Sequence, residues 1–455
     1  MKAPRILLAA PSSGSGKTLV TCGILKSLLN RGITVSSFKC GPDYIDPMFH
    51  GQVLGISSKN LDTFFTDETA TRYLLGKEAR HSQLSVMEGV MGYYDGIAGT
   101  STQASAYDLA RVTDTPVILI VDARGMSVSI TAQIKGFLDY RPDSRIAGAI
   151  LNRLSAGLYP RVKEQIEREL PIKVLGYVPE AKEYVIESRH LGLVTPDTIT
   201  DLKERIQGLA RVLEETVDLD LLLSVAGGTR ELDLIPPSIP HLEESQEGVR
   251  IGIAKDEAFC FMYRDNLELM AEMGAKLRYF SPVHDTRLPR DLDGMIFYGG
   301  YPELYAKQLS ENRTMLADIR EAIRQGVPYL AECGGFMYLH DDMEDMEGIR
   351  HRMVGAIEGT AYRTERLGRF GYVTLEAGKD QVLGKKGETI KAHEFHYFDS
   401  TNNGADFHAR KPLAKREWDC IHGDGRRAAG FPHLYYYSNP EMIFHFLQVC
   451  AERGR

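Results

Sequence analysis

A chain of 455 residues exceeds what one ordinary hydrophobic core accommodates, and it sets an expectation of two or three domains. Its 43% hydrophobic and 25% charged residues are those of a globular chain, and a net charge of −8 excludes a general nucleic-acid binder while leaving room for a local basic pocket. Six scattered cysteines (22, 40, 260, 333, 420 and 450) form no CxxC pair, which speaks against a disulfide framework or zinc module and for reduced thiols in a cytoplasm, and no apolar run approaches the roughly 20 residues that cross a bilayer.

The stretch "RILLAA" predicts a short buried strand, and "KTLVTCGILKSLLN" predicts a helix with Leu19, Ile24, Leu25 and Leu28 on one face and Gly32 as its stop. Between them lies "APSSGSGKT", which reads as a phosphate-binding loop rather than a signal peptide or a plain glycine turn. Backbone N–H groups of Ser13, Gly14, Ser15, Gly16 and Lys17 can wrap phosphate oxygens, and the helix start adds partial positive charge. Lys17 would reach the β- and γ-phosphates of ATP, and Thr18 would hold Mg²⁺. The loop is a variant, because Pro11 stands where GxxxxGK[ST] has its first glycine.

Further apolar runs, "LSVMEG", "PVILIVDA", "IAGAILN" and "IKVLGYVPE", predict strands of a parallel sheet covered on both faces. Such sheets bind ligands at their strand C-termini. Asp43 and Asp46 in "KCGPDYIDP" and Glu88 in "SVMEGVMG" are therefore candidates for Mg²⁺ ligands or orienting groups: each alone is more often a turn or capping residue, but their recurrence after three apolar runs favours function. Asn152, also at a strand end, is a candidate contact for the nucleotide base. Residues 227–248, "GGTRELDLIPPSIPHLEESQEG", have no sustained period and predict a linker, giving domains at 1–228 and 248–455 with the linker at 229–247.

A second α/β unit follows: the strand "VRIGIAK", the helix "RDNLELMAEMG", and the strand-to-glycine transitions "DGMIFYGG" and "VPYLAECGG". In "AECGG" a cysteine sits between small residues where a strand meets a helix, the pattern of a nucleophile elbow. The helix start after Cys333 is expected to stabilise its thiolate, and the Gly334 N–H can meet an oxyanion. Gly299 and Gly300 in "YGGYPE" can supply a second donor. The competing reading of Cys333 is a small buried hydrophobe. Its base is expected to be His433 in "AAGFPHLYYY", chosen from thirteen histidines. The "HEFH" at 393–396 spaces its histidines three apart in a strand-like segment, not at the i, i+4 of a helical zinc motif. Residues 360–435 read as less regular, and Arg363, Arg366 and Arg369 within them are candidates for an acidic substrate.

The ordered set "PSSGSGKT", "KCGPDYIDP", "MEGVMGYYDG", "YGGYPE", "AECGGFMYL" and "HEFHY", spanning residues 11 to about 436, resembles the cobyrinic acid a,c-diamide synthases. That resemblance implies an N-terminal nucleotide-binding domain like dethiobiotin synthetase and a C-terminal domain like class I glutamine amidotransferases. It implies ATP, Mg²⁺, L-glutamine and a polycarboxylate corrinoid as partners, with no nucleic acid or membrane, and amidation of the a and c acetate side chains. By motif match, Cys333 is the glutaminase nucleophile and His433 its activator; Gly14, Gly16, Lys17 and Thr18 form the phosphate loop; Glu88 is the Mg²⁺-associated acid; and Asp43 and Asp46 lie near ATP and the substrate carboxylate. Many class I glutaminases carry a glutamate two residues after the histidine, where this chain has Tyr435, so the third triad member is left without a residue. Two other readings compete. Related synthases amidate nickel-sirohydrochlorin at the same positions. A regulatory or partitioning ATPase fused to an inactive glutaminase-like module would usually have a signature lysine where Ser12 stands, and the intact "AECGG" speaks against it.

Overall fold

A computed structural model describes residues 1–180, 196–243 and 248–453. The chain divides into two compact units, Met1–Pro237 and Ser238–Arg455. Among the described residues no helix is long and apolar enough to cross a membrane.

The first unit is built on seven strands: β1 (Arg5–Ala9), β2 (Val35–Cys40), β3 (Ser58–Leu61), β4 (Leu84–Glu88), β5 (Val117–Asp122), β6 (Ile146–Asn152) and β7 (Lys173–Val178). Their order is β3-β2-β4-β1-β5-β6-β7, and every neighbouring pair is parallel. Continuous apolar runs such as "RILLA" and "VILIV" are what a sheet covered on both faces requires. Ile6, Leu8, Val86, Ile118 and Ile150 pack with Val20, Ile24 and Leu28 of α1 (Lys17–Asn30) and with Leu209 and Leu213 of the helix Pro196–Thr216. Strand β2, "VSSFKC", departs from the apolar rule. Its serines are satisfied inside the sheet, Ser36 on Ser85 at 3.0 Å and Ser37 on Ser58 at 2.7 Å, so a polar sequence is buried without orphaned hydroxyls.

The segment expected as a linker has no regular structure over 229–243, and its end at 244–247 lies outside the described residues. Its beginning is tied to the first unit: the Leu232 N–H donates to the Met1 carbonyl at 2.9 Å, and Arg5 Nη1 donates to the Arg230 carbonyl at 3.0 Å.

The second unit has a central sheet of β8 (Arg250–Ala254), β9 (Lys276–Phe280), β10 (Gly294–Phe297) and β11 (Tyr329–Glu332). The chain then runs through β12 (His340–Glu344), β13 (Arg350–Arg352), β14 (Ile357–Arg363), β15 (Phe370–Ala377), β16 (Thr389–Phe395), β17 (Phe398–Ser400), β18 (Phe407–Arg410), β19 (Glu417–Cys420), β20 (His422–Gly423), β21 (Arg427–Gly430) and β22 (His433–Leu434). The central order is β20-β21-β11-β10-β8-β9, parallel throughout except for β20. Met315, Leu316 and Ile319 of the helix Arg313–Arg324 pack with Met295, Phe297 and Phe336 of its core.

The irregularity expected over 360–435 is corrected: apart from β20 and β21 in the central sheet, the strands of this range join two small, largely antiparallel sheets, β13-β12-β14-β17 and β19-β18-β15-β16-β22. In β15 only Val373, Leu375 and Ala377 are buried, so its period-2 signal is short.

Candidate functional site

In the first unit, three strand ends converge on the loop that joins β1 to α1. Gly14 and Gly16 have φ of 79° and 88°, the left-handed region where a side chain is costly. Gly16 has a second constraint, because a Cβ there would overlap the amide of Asn152. Asn152 Nδ2 donates to the Ser15 carbonyl at 2.8 Å, and Asn152 Oδ1 accepts from the Arg153 N–H at 3.0 Å. The residue expected at the nucleotide base is thus seen bracing the loop from below. Ser15 Oγ closes the turn on the Ser12 carbonyl at 2.9 Å, while Ser13 is exposed at its tip.

Lys17 Nζ donates to the Met91 carbonyl at 2.6 Å, and Thr18 Oγ1 donates to Glu88 Oε1 at 2.6 Å. Glu88, at the end of β4, is fully buried. Its Oε1 also takes Lys39 Nζ at 2.8 Å, and the same ammonium lies 2.5 Å from Asp46 Oδ2 in the short helix Ile45–Phe49. Lys39 was not singled out in the sequence, although a lone lysine in "VSSFKC" is a signal: a charge inside a buried strand needs partners. Burial works against its charge, but Glu88 and Asp46 outweigh it and hold the ammonium protonated. Burial likewise opposes charge on Asp46, yet the Lys39 ammonium outweighs it and keeps the carboxyl below the usual carboxylate range. Asp43 accepts the Ile45 N–H at 2.8 Å, and burial with neighbouring Asp46 pushes it up to about 6. Burial, then the nearby Lys39 charge, pushes Lys17 down to about 8.

In the second unit, Cys333 joins β11 to the short helix Gly334–Tyr338 with φ 46° and ψ −107°, a strained conformation for a residue with a Cβ. Its N–H donates to the Gly430 carbonyl at 2.9 Å, which pins the turn to β21. The glycines of "AECGG" are required by crowding. A Cβ on Gly335 would overlap the Phe297 backbone, and one on Gly334 would press on Pro302 and stand 3.1 Å from the Gly300 nitrogen. The Gly334 N–H faces the sulfur.

His433 lies on β22, opposite His393 of β16. Gly299 ties it to the cysteine: a Cβ there would stand 3.3 Å from both Cys333 Cβ and His433 Nδ1 and would overlap the ring's Cε1. Thiol, imidazole and the glycines 299, 300 and 334 therefore share one small space. Gly299→Ala should displace the ring and lower glutamine hydrolysis at least ~10-fold, since misplacement of a reacting group by about 1 Å is costly. A glutaminase assay beside an unchanged circular-dichroism spectrum checks this.

The expected thiolate at a helix start is corrected. Burial raises the Cys333 thiol well above its ordinary value, and the Gly334 N–H only partly opposes it. Burial, then His393 and His396, pushes His433 down to about 3. The resting pair is a neutral thiol beside a neutral imidazole. In "HEFH", His396 Nε2 lies 3.0 Å from Glu394 Oε2 and its ring stacks on Phe431. Of the candidate arginines, Arg363 donates to the Met346 carbonyl at 2.7 Å and Arg369 lies over Trp418, while Arg366 is exposed.

Residues 6–193 match the CobQ/CobB/MinD/ParA nucleotide binding domain, and residues 250–435 match the CobB/CobQ-like glutamine amidotransferase domain. A phosphate loop on a parallel sheet, followed by a cysteine elbow on another, thus defines an amidotransferase with a nucleotide-binding half. The chain is 40% identical to the cobyrinate a,c-diamide synthase of Caldanaerobacter subterraneus subsp. tengcongensis, over 99% of each chain. It is 39% identical to that of Listeria innocua over 96% of this chain and 98% of the relative, and 37% identical to that of Salmonella typhimurium over 98% and 97%. The chain belongs to the cobyrinate a,c-diamide synthase family.

Proposed function

We propose that the protein amidates the a and c acetate carboxylates of cobyrinic acid, using ATP to activate each acid and glutamine to supply the nitrogen. The observation that carries this reading is the grouping of Cys333, His433 and Gly299 in one crowded space, in a chain matched over 99% of its length by a cobyrinate a,c-diamide synthase.

A carboxylate does not react with ammonia, because its carbon is electron-rich and oxide leaves poorly. Transfer of the γ-phosphoryl group to a carboxylate oxygen makes an acyl phosphate, from which ammonia displaces phosphate. Lys17 and the amides of residues 13–17 would bind the phosphates and take up charge as the group moves. Thr18 and Glu88 would hold Mg²⁺. Their oxygens suit a hard cation, and Glu88 Oε2 is a buried atom without a hydrogen-bond partner. Bound there, Mg²⁺ would supply charge neutralisation at the phosphates. Asp46 fixes the Lys39 ammonium, and Asp43 stands beside them where the substrate acid would enter.

At the second centre, Cys333 Sγ attacks the glutamine amide carbon while His433 takes the thiol proton. The Gly334 N–H and a backbone N–H of Gly299–Gly300 receive the oxyanion. His433 then returns the proton to the departing ammonia, and water cleaves the thioester to glutamate. Burial disfavours charge on both groups, so His433 would take the proton as the sulfur attacks.

Lys17 gives a pH test. Its value near 8 means that half of the ammonium groups are neutral at that pH. Bound phosphates favour the charged form, so ATP binding should take up a proton near pH 8. Well below that pH, Lys17 is already charged and its contribution vanishes. Calorimetry in two buffers of different ionisation enthalpy reads this uptake, and Lys17→Met should abolish it.

The function itself is tested by incubating the protein with ATP, Mg²⁺, glutamine and either cobyrinic acid or nickel-sirohydrochlorin, followed by mass spectrometry. Cobyrinic acid should gain two amides. Amidation of the nickel macrocycle alone would move the assignment to that substrate.

A further inference from the structure

We propose that Glu332 is the positioning residue for His433, supplying the carboxylate that the position of Tyr435 does not. This rests on the reading of Cys333 and His433 as the glutaminase pair. Tyr435 is engaged elsewhere, its hydroxyl 3.3 Å from Asp265 Oδ2. Glu332 is the last residue of β11 and the chain neighbour of Cys333, so the strained turn that presents the thiol also fixes this carboxylate. Glu332 Oε2 lies 3.8 Å from His433 Nδ1, and both side chains are buried, at 4% and 2% exposure. A ring that turns Nδ1 toward Glu332 turns Nε2 away from it. Nε2 is then the nitrogen that can serve a thiol on the other side, as in a nucleophile–base–orienter arrangement.

The surroundings suit a carboxylate kept for use. Burial raises Glu332, while the Leu434 N–H and the Tyr436 hydroxyl favour its charged form. The Tyr436 hydroxyl is in turn 3.2 Å from that of Tyr298. The other titratable groups acting on the pair are His393 and His396 from the β16 side, which disfavour charge on His433, and Glu303 and Glu394, which disfavour a thiolate at Cys333. When the proton moves from Sγ to the ring, an imidazolium forms in a dry site, and a facing carboxylate stabilises it. The 3.8 Å contact is long for a hydrogen bond, as resting catalytic contacts often are, and it shortens as that charge develops.

The test compares Glu332→Gln and Glu332→Asp with the unaltered full chain. Glu332→Gln should lower kcat for glutamine hydrolysis at least ~10-fold with KM changed less than ~3-fold, in the range set by loss of support to a general base. Synthesis driven by ammonium salts should persist, which shows that the chain is folded. Glu332→Asp should recover part of the lost kcat. Alkylation of Cys333 by iodoacetamide, read by peptide mass spectrometry across pH, should shift to higher pH in Glu332→Gln. A wild-type kcat with an unmoved alkylation profile would overturn the proposal. So would a loss confined to KM, or one matched by loss of ammonia-driven synthesis, because Glu332 would then serve the glutamine seat or the fold. If Cys333→Ala hydrolyses glutamine normally, the glutaminase assignment itself fails, an outcome distinguishable from failure at Glu332 alone.

Discussion

Cys333→Ala is expected to abolish glutamine-driven amidation, by about 10³-fold or more, while leaving ammonia-driven amidation at the wild-type rate. The thiol is the only atom of the second centre that can form the acyl intermediate, so nothing there substitutes for it. Glycine and histidine positions around it stay in place, because alanine keeps the Cβ that the turn at φ 46° already accommodates. The phosphate loop belongs to the other compact unit, and the substitution leaves the groups proposed to activate the carboxylate untouched. Product formation with glutamine and with ammonium salts, measured side by side, checks both halves. Equal loss of the two would show that the division of labour is wrong.

Lys17→Ala is expected to lose amidation with either nitrogen source, by on the order of 10²–10³-fold, the usual cost of removing one group that meets developing charge. Glutamine hydrolysis by Cys333 should continue. The lysine opens α1 directly behind Gly16, and its ammonium rests on the Met91 carbonyl, a neutral partner that phosphate oxygens would replace. Its removal leaves the buried Thr18–Glu88–Lys39–Asp46 network intact, so the loss should appear in the phosphoryl step and not in thermal stability. Rates of glutamate release, ATP consumption and amide formation separate these outcomes. A variant that still consumes ATP at the wild-type rate would remove Lys17 from the step.

Much of the site was legible in the sequence because glycine and charge mark special backbone and special burial. "PSSGSGKT" could be placed between strand and helix, and Gly14 and Gly16 do adopt left-handed φ. "AECGG" could be read as a turn because small residues between a strand and a helix let the chain reverse tightly, and the neighbours of Gly334 and Gly335 show why a Cβ is excluded. What resisted reading was set by contacts between distant segments. Lys39 stands in a strand that looks merely polar, and its meaning depends on Glu88, 49 residues away. Glu332 precedes the elbow, but only folding sets it near His433. The helix start after Cys333 was expected to favour its thiolate, whereas burial, which no local pattern gives, raises the thiol. The small sheets escaped because a strand such as β15, buried only at alternate positions, carries less apolar signal than a buried parallel strand, and β16 buries the polar His393 and Glu394.

The central claim is that nitrogen freed at Cys333 replaces a carboxylate oxygen that ATP has first phosphorylated. Cobyrinic acid labelled with heavy oxygen in its carboxylates and glutamine labelled with heavy nitrogen in its amide test this in one mass-spectrometric experiment. Each new amide should carry the nitrogen label, and each should be matched by one labelled oxygen in inorganic phosphate. Labelled oxygen recovered in water or retained in full by the product, with ATP still consumed, would contradict the account.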